Sequence, residues 1–328
     1  MHVVITGAAG FLGRKLARRL LGGETLTGPT AGTEVTRLTL FDVVEPAADI
    51  AADKRVRSVS GDIGDARTVA DLIAADVSSI FHFAAVVSAA AEADFDLGMR
   101  VNLDGTRNVL EAARTLPSPP RVVFTSSWAV YGGDMPAVIR DDTPLTPQTS
   151  YGTQKAMGEF LLNDMSRKGL IDGRALRLPT VVVRPGKPNK AASTWASSII
   201  REPLQGDEVE CPVERTAEMY VASPRQIVES FIHAHELPAE RLGSNRAMFL
   251  PGLTVSVADM LGALERAGGK AAVNRVKFAP DKTIMRIVAG WAPRGDAARA
   301  RSLGFPEDKS YDAIVQAFIE DDIRRPAA

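Results

Sequence analysis

The feature that most constrains this chain lies at its start. A short β-branched run, His2–Thr6, leads directly into Gly7-Ala-Ala-Gly10-Phe11-Leu12-Gly13 and then into the amphipathic stretch Arg14-Lys-Leu-Ala-Arg-Arg-Leu-Leu21. A glycine-rich turn is informative only in such a strand-to-helix context, because a lone glycine pattern is common. Here each glycine answers a separate physical need, with a tight turn at Gly7, close approach of the backbone to a pyrophosphate at Gly10, and close packing of helix on strand at Gly13. The helix N-terminus, with its unpaired N–H groups and positive dipole end, favours that anion.

The elements that follow alternate. Residues 22–36 read as a loop, and the second strand, Arg37–Asp42, ends in a carboxylate. Asp42 can accept from an adenosine ribose and repel a 2′-phosphate, which favours NAD over NADP, and Val43 and Val44 follow it where an arginine would welcome a phosphate. Its competing reading is a strand-end turn residue. Val56–Ser60 reads as a third strand and residues 66–74 as a helix, with Asp62 either contacting adenine or capping that helix. Residues 79–85 form an apolar fourth strand with small residues at the carboxyl end, where open α/β sheets bind ligands; His82 within it reads as a satisfied core histidine.

Residues 96–116 predict a long helix, and Arg121–Ser127 a fifth strand that delivers hydroxyls where the sheet ends. Residues 174–185 predict a further strand. Alternation over the first 185 residues argues for an α/β fold with a doubly wound parallel sheet, the Rossmann arrangement. Residues 186–221 show little periodicity and fit a smaller substrate lobe. Serines 223, 256 and 310 each read as an N-cap opening a helix, with short strands expected at 246–250 and 275–279. The expected division is therefore a dinucleotide-binding domain over 1–185 and a lobe over 186–328 whose helices return to the core.

The reactive groups centre on Tyr151-Gly-Thr-Gln-Lys155. Four residues are just over one helical turn, so phenol and ammonium share a face. A nearby cation favours the phenolate, which makes Tyr151 a usable base near neutral pH. A hydroxyl at the tip of the fifth strand, Ser127 or alternatively Ser126, can hold a substrate oxygen beside it; a turn serine bonded to its own backbone is the competing reading.

Composition narrows the setting. Lysine and arginine number 39 against 40 acidic residues, so nothing points to nucleic acid or an anionic membrane. The single cysteine, Cys211, excludes an internal disulfide and offers no metal cluster, which fits a reducing, cytoplasmic setting. The start of the chain reads as a strand rather than a signal peptide, and the most apolar run, residues 79–91, is too short to span a bilayer.

The glycine turn, the hydroxyl strand ending at Ser127 and Tyr151-Gly-Thr-Gln-Lys155 occur in an order and at intervals that resemble the extended short-chain dehydrogenase/reductase family. That resemblance implies a Rossmann domain holding NAD, with Ser127, Tyr151 and Lys155 as the catalytic set. It implies cofactor contacts at Gly7, Phe11, Leu12, Asp42, Asp62, Ile63, Ala84 and Asn102, with Lys155 reaching the nicotinamide ribose. It also implies a homodimer built on helices around 98–115 and 151–167. Within the family, Ala84-Ala-Val-Val-Ser88, Glu92 to Asn102, Leu145 to Tyr151 and Leu178 to Asn189 resemble members that oxidise the carbon-2 hydroxyl of a four-carbon sugar acid. Sugar-nucleotide epimerases of this fold usually carry asparagine where this chain has Thr180. Arg184 and Lys187 are the candidate cations for a substrate carboxylate, with Asn189 and Ser88 for its hydroxyls. A structural ion pair at Arg184 and a solvated Lys187 are the competing reading. Two further functions compete with the dehydrogenase: an isomerase that borrows and returns the hydride, and a non-catalytic NAD-binding sensor.

Overall fold

All five residues of His2–Thr6 are buried, and this strand lies inside a seven-stranded sheet. Numbered along the chain, the strands of that sheet run 3-2-1-4-5-6-7: Val56–Ser60, Arg37–Asp42, His2–Thr6, Val77–His82, Arg121–Ser127, Asp172–Leu178 and Ala247–Phe249. The first five pair in parallel, with Ile5 between Leu40 and Phe81. The order reverses between the first and fourth strands, the switch point where ligands bind in open α/β sheets. The computed structural model describes residues 1–27, 33–187 and 192–324.

The sheet belongs to a unit formed by Met1–Val130, Thr149–Arg177 and Val228–Met248. Its first helix, Phe11–Leu21, buries Gly13, Leu16, Ala17 and Leu20, the i, i+3, i+4, i+7 spacing of one face. Val4, Phe41, Ile80, Val109, Leu110, Phe124 and Leu162 meet in its core, each contributing about 1.5–3 kcal/mol by burial. The helix expected over 96–116 is continuous but not uniform: Phe95–Gly98 and Gly105–Ala113 are α-helical, and Met99–Asp104 between them is a π-turn. The expected fourth strand stops earlier than the apolar run, at His82, because the N–H groups of Phe83 and Ala84 turn onto the Thr6 hydroxyl at 3.2 and 3.3 Å.

A second unit comprises Tyr131–Gln148, Leu178–Ile227 and Phe249 onward. Its limits differ from the boundary expected at residue 185. Pro179 breaks the run read as one strand, since proline has no N–H for the ladder. Thr180–Val181 beyond it pairs with Glu218–Ala222, which in turn pairs with Leu253–Ser256. Residues 131–148 belong to this unit as well, and Val228–Met248 to the first. The stretch read as aperiodic holds a 12-residue helix, Thr194–Gln205. Trp195 through Arg201 are all buried, and Pro203 inside the helix together with its serines and charges makes the stretch read as irregular although Trp195, Ile199 and Ile200 keep helical spacing. The serine caps are present: Ser223, Ser256 and Ser310 accept from Gln226, Asp259 and Ala313, each contributing about 1 kcal/mol. Among the described residues no helix is long and apolar enough to cross a membrane.

Candidate active site

The glycine turn is shaped by contact with its neighbours. Gly7 has φ +70°, and a Cβ there would stand 2.6 Å from the Ala84 nitrogen; a Cβ on Gly13 would stand 2.5 Å from the Gly7 carbonyl oxygen. Neither position tolerates a side chain. Gly10 is different: it is exposed, and its Cβ would meet only the Gly7 oxygen at 3.2 Å, so its outer side is open to a ligand. Phe11 and Leu12 then open a helix that has neither a side-chain cap nor an acidic residue in its first turn, leaving its N–H groups and dipole available to an anion. Asp42 closes one side by accepting from Ala9 N–H at 2.9 Å and Val43 N–H at 2.8 Å, and Val43 and Val44 present exposed apolar surface beside it. A cradle open at Gly10, an anion-binding helix end, a strand-end carboxylate and an apolar flank fit a dinucleotide.

The two residues expected beside adenine have separate surroundings. Asp62 accepts from Gly64 N–H at 2.8 Å and forms an ion pair with Arg100. The helix after it, Ala66–Leu72, is capped by Asp65 instead, so the capping alternative for Asp62 falls away. Ile63 is buried beneath Gly105, where a Cβ would stand 2.7 Å from its Cγ2. Asn102, in the π-turn, is fully buried and spends its amide on the chain: Oδ1 accepts from Val86 N–H at 2.9 Å, and Nδ2 donates to the Val86 carbonyl and, at 2.8 Å, to Gln154. It thereby ties the segment after the fourth strand, including Ala84, to the helix bearing Tyr151. Gln154 lies inside the Tyr-to-Lys motif but was invisible as a functional residue, because its role depends on a partner 52 positions away.

That helix, Ser150–Arg167, starts at Thr149, whose hydroxyl accepts from Gly152 N–H at 3.1 Å. Tyr151 therefore sits in the first turn and Lys155 one turn on. Ser127 hydrogen-bonds the Tyr151 phenol and also accepts from Ala129 N–H at 3.1 Å. Ser126 is buried with no partner for its hydroxyl, so of the two it is Ser127 that meets the phenol. Lys155 is 1 % exposed, its Nζ 4.7 Å from the Phe124 ring centre and 5.7 Å from that of Tyr151. Electrostatics here depart from expectation. Burial pushes the phenol above its ordinary pKa, only partly offset by the Ser127 hydrogen bond, and burial pulls Lys155 down to about 7 against the opposing pull of Glu159. An apolar pocket disfavours both charged forms, so the protein chain alone does not render the phenol acidic.

His82 is the satisfied core residue its sequence context indicates. The Thr106 hydroxyl donates to the Asn102 carbonyl at 2.6 Å and so accepts from His82 Nε2 at 3.0 Å, leaving Nδ1 to accept from Thr6 at 2.7 Å. Burial, followed by the field of Lys155, holds its pKa down to about 3.

The residues expected at the substrate end fall in different places. Ser88 belongs to the first unit, half-buried at the start of the helix Ser88–Ala93. Arg184 and Lys187 belong to the second. Lys187 is exposed, and Asn189 lies outside the described residues. Arg184 is held by hydroxyl and carbonyl groups: Nη2 donates to the Ser193 hydroxyl at 2.7 Å and to its carbonyl at 3.1 Å, while its N–H donates to Ser197. Arg201 donates to the Arg184 carbonyl at 2.7 Å, and burial together with Arg201 lowers the Arg184 pKa to about 10. The structural carboxylate partner anticipated as an alternative is not among these contacts. Ser193 and Arg201 were missed in the sequence because they lie within the unrecognised helix region.

Comparison with known proteins agrees with this geometry. The model of the NAD dependent epimerase/dehydratase family matches residues 3–241. The chain is 51 % identical over 321 residues to a D-erythronate dehydrogenase of Cupriavidus necator, covering 98 % of each. It is 45 % identical to a D-erythronate dehydrogenase of Haemophilus influenzae, over 98 % of this chain and 100 % of that one. A crystal structure described as a nucleoside-diphosphate-sugar epimerase from Agrobacterium tumefaciens superposes with a TM-score of 0.93 at 44 % identity, covering 99 % and 95 % of the two chains. An L-threonine dehydrogenase from Cupriavidus necator, TM-score 0.84 at 22 % identity over 98 % and 99 % of the chains, shares the fold. With the glycine cradle, the strand-end carboxylate and the Ser127–Tyr151–Lys155 set in place, the chain belongs to the NAD-dependent epimerase/dehydratase family.

Proposed function

We propose that this protein oxidises the carbon-2 hydroxyl of a four-carbon sugar acid such as D-erythronate to the 2-oxo acid. The observation that carries the reading is end-to-end similarity to two D-erythronate dehydrogenases, joined to the hydrogen bond between Ser127 and Tyr151. Tyr151 as phenolate takes the hydroxyl proton, Ser127 holds the oxygen, and Lys155 supplies positive charge beside the phenol. NAD, when bound, supplies the acceptor for the hydride leaving carbon 2 and a second positive charge that favours the phenolate. Gly10, Phe11 and Leu12 would hold its pyrophosphate, in a turn that Gly7 and Gly13 shape, and Asp42 would hold its adenosine ribose. Asp62 and Ile63 flank the adenine. Lys155 takes the nicotinamide ribose, and Asn102 acts through Val86 and Ala84. At the substrate end Arg184 binds the carboxylate, preorganised by Ser193, and Ser88, Lys187 and Asn189 serve its oxygens.

A homodimer accords with Phe95, Met157 and Phe160, exposed by 59, 44 and 67 % on the helices expected to pair. A cytoplasmic setting accords with the buried, unpaired Cys211.

A sugar-nucleotide epimerase is the second reading, favoured by the description of the Agrobacterium structure and disfavoured by Thr180. Absorbance of NADH during a screen of four- to six-carbon sugar acids separates them. Stoichiometric NADH with D-erythronate is expected. Interconversion of a sugar nucleotide without NADH would identify an isomerase, and NAD binding with neither reaction a sensor.

A further inference from the structure

The ammonium of Lys155 stands in an apolar enclosure whose charged and titratable neighbours can be named element by element. From its own helix come Tyr151 and, one turn on, Glu159, and from the strand Val77–His82 comes His82; Arg177, on Asp172–Leu178, reaches Glu159. His82 is neutral, both ring nitrogens being committed to threonine hydroxyls. Glu159 is 2 % exposed and gripped by Arg177, whose Nε donates to both carboxylate oxygens at 3.0 Å and whose Nη2 donates to Oε2 at 2.7 Å.

A buried carboxyl left alone takes up a proton and loses its charge. Here the fork of Arg177 supplies the partner, at the position one turn on from Lys155. We propose that Glu159, gripped by Arg177, is a positioning residue that holds Lys155 in its ammonium form inside an apolar pocket and so sets the pH range over which the Tyr151–Lys155 pair works. The proposal rests on the catalytic reading of that pair. Burial lowers Lys155 to about 7 and the Glu159 charge is what opposes it; without the carboxylate the ammonium is lost at lower pH.

The full-length protein labelled with ¹³C at the lysine ε-carbons gives a direct titration of Lys155, assigned by loss of its signal in Lys155→Arg. Glu159→Gln is expected to lower the Lys155 midpoint by about one pH unit or more, and Glu159→Asp to recover most of the shift. Should Glu159→Gln not fold, Glu159→Gln/Arg177→Met, which removes the carboxylate together with the guanidinium that grips it, carries the comparison, with a midpoint again below the parent. In turnover with D-erythronate, the alkaline limb of kcat/KM moves to lower pH by the same amount. A midpoint equal to the parent's in a folded variant, with only Tm reduced, assigns Glu159 a structural role and overturns the proposal. If the parent does not oxidise D-erythronate, the substrate reading fails while the titration still decides the role of Glu159.

Discussion

Oδ2 of Asp42 accepts a hydrogen bond from the N–H of Ala9 at 2.9 Å, which ties the end of one strand to the glycine turn that follows its neighbour. The carboxylate fixes the turn, and on the proposed reading it also carries the charge that discriminates between cofactors. Asp42→Asn separates the two roles, because the amide oxygen still accepts from Ala9 while the charge is gone. KM for NAD is expected to rise about tenfold, the cost of one charge-assisted hydrogen bond, and the preference for NAD over NADP to shrink. An unchanged NAD-to-NADP ratio of kcat/KM would leave Asp42 a turn residue only.

Tyr151→Phe removes the phenol hydroxyl and leaves the ring beside Lys155. Turnover is expected to fall about 10³-fold with NAD binding retained; Ser127→Ala, which removes the hydrogen bond to the same oxygen, should fall by less. Near-parental turnover in the phenylalanine variant, measured by NADH formation, ends the assignment of Tyr151 as base.

Arg184, held by Ser193, is expected to contribute mainly to recognition of an acid. In Arg184→Ala, kcat/KM for the sugar acid should drop about 100-fold, equivalent to losing one charge-assisted contact, while KM for NAD stays put. If the acid is turned over as well as before, Arg184 leaves the substrate site.

His82 makes stability depend on pH. Its pKa in the folded chain, about 3, lies below the ordinary 6.5, so the unfolded chain binds the proton first. The stability present above pH 6.5 is lost as pH falls toward 3. In His82→Gln, the dependence of unfolding free energy on pH between about 6 and 4 should be shallower by up to ~1.4 kcal/mol per pH unit. Urea unfolding across that range measures it, and parallel slopes for parent and variant would show that His82 is charged in the native state.

Much of this protein was legible in order along the chain because its signals are local. The turn from His2–Thr6 into Gly13, the strand that stops at Asp42, the strand that ends in Ser127 and the one-turn spacing of Tyr151 and Lys155 each depend on neighbours within a few residues. The serine caps at 223, 256 and 310 are local in the same sense. The helix Thr194–Gln205 escaped notice for another reason: Pro203 stands inside it and serines and charges fill one of its faces, so a stretch whose apolar residues keep helical spacing reads as broken.

The amino-acid sequence by itself determined the order of the α/β elements, the glycine cradle and the shared helix face of Tyr151 and Lys155, since these follow from backbone sterics and short-range periodicity. Tertiary structure alone decided that Asn102 clasps Val86 and Gln154, that Ser127 rather than Ser126 meets the phenol, and that Glu159 is locked to Arg177. It also reversed the expected electrostatics of Tyr151, because a charge is stabilised or penalised by everything packed around it, and that surrounding shell is assembled from parts of the chain far apart in number.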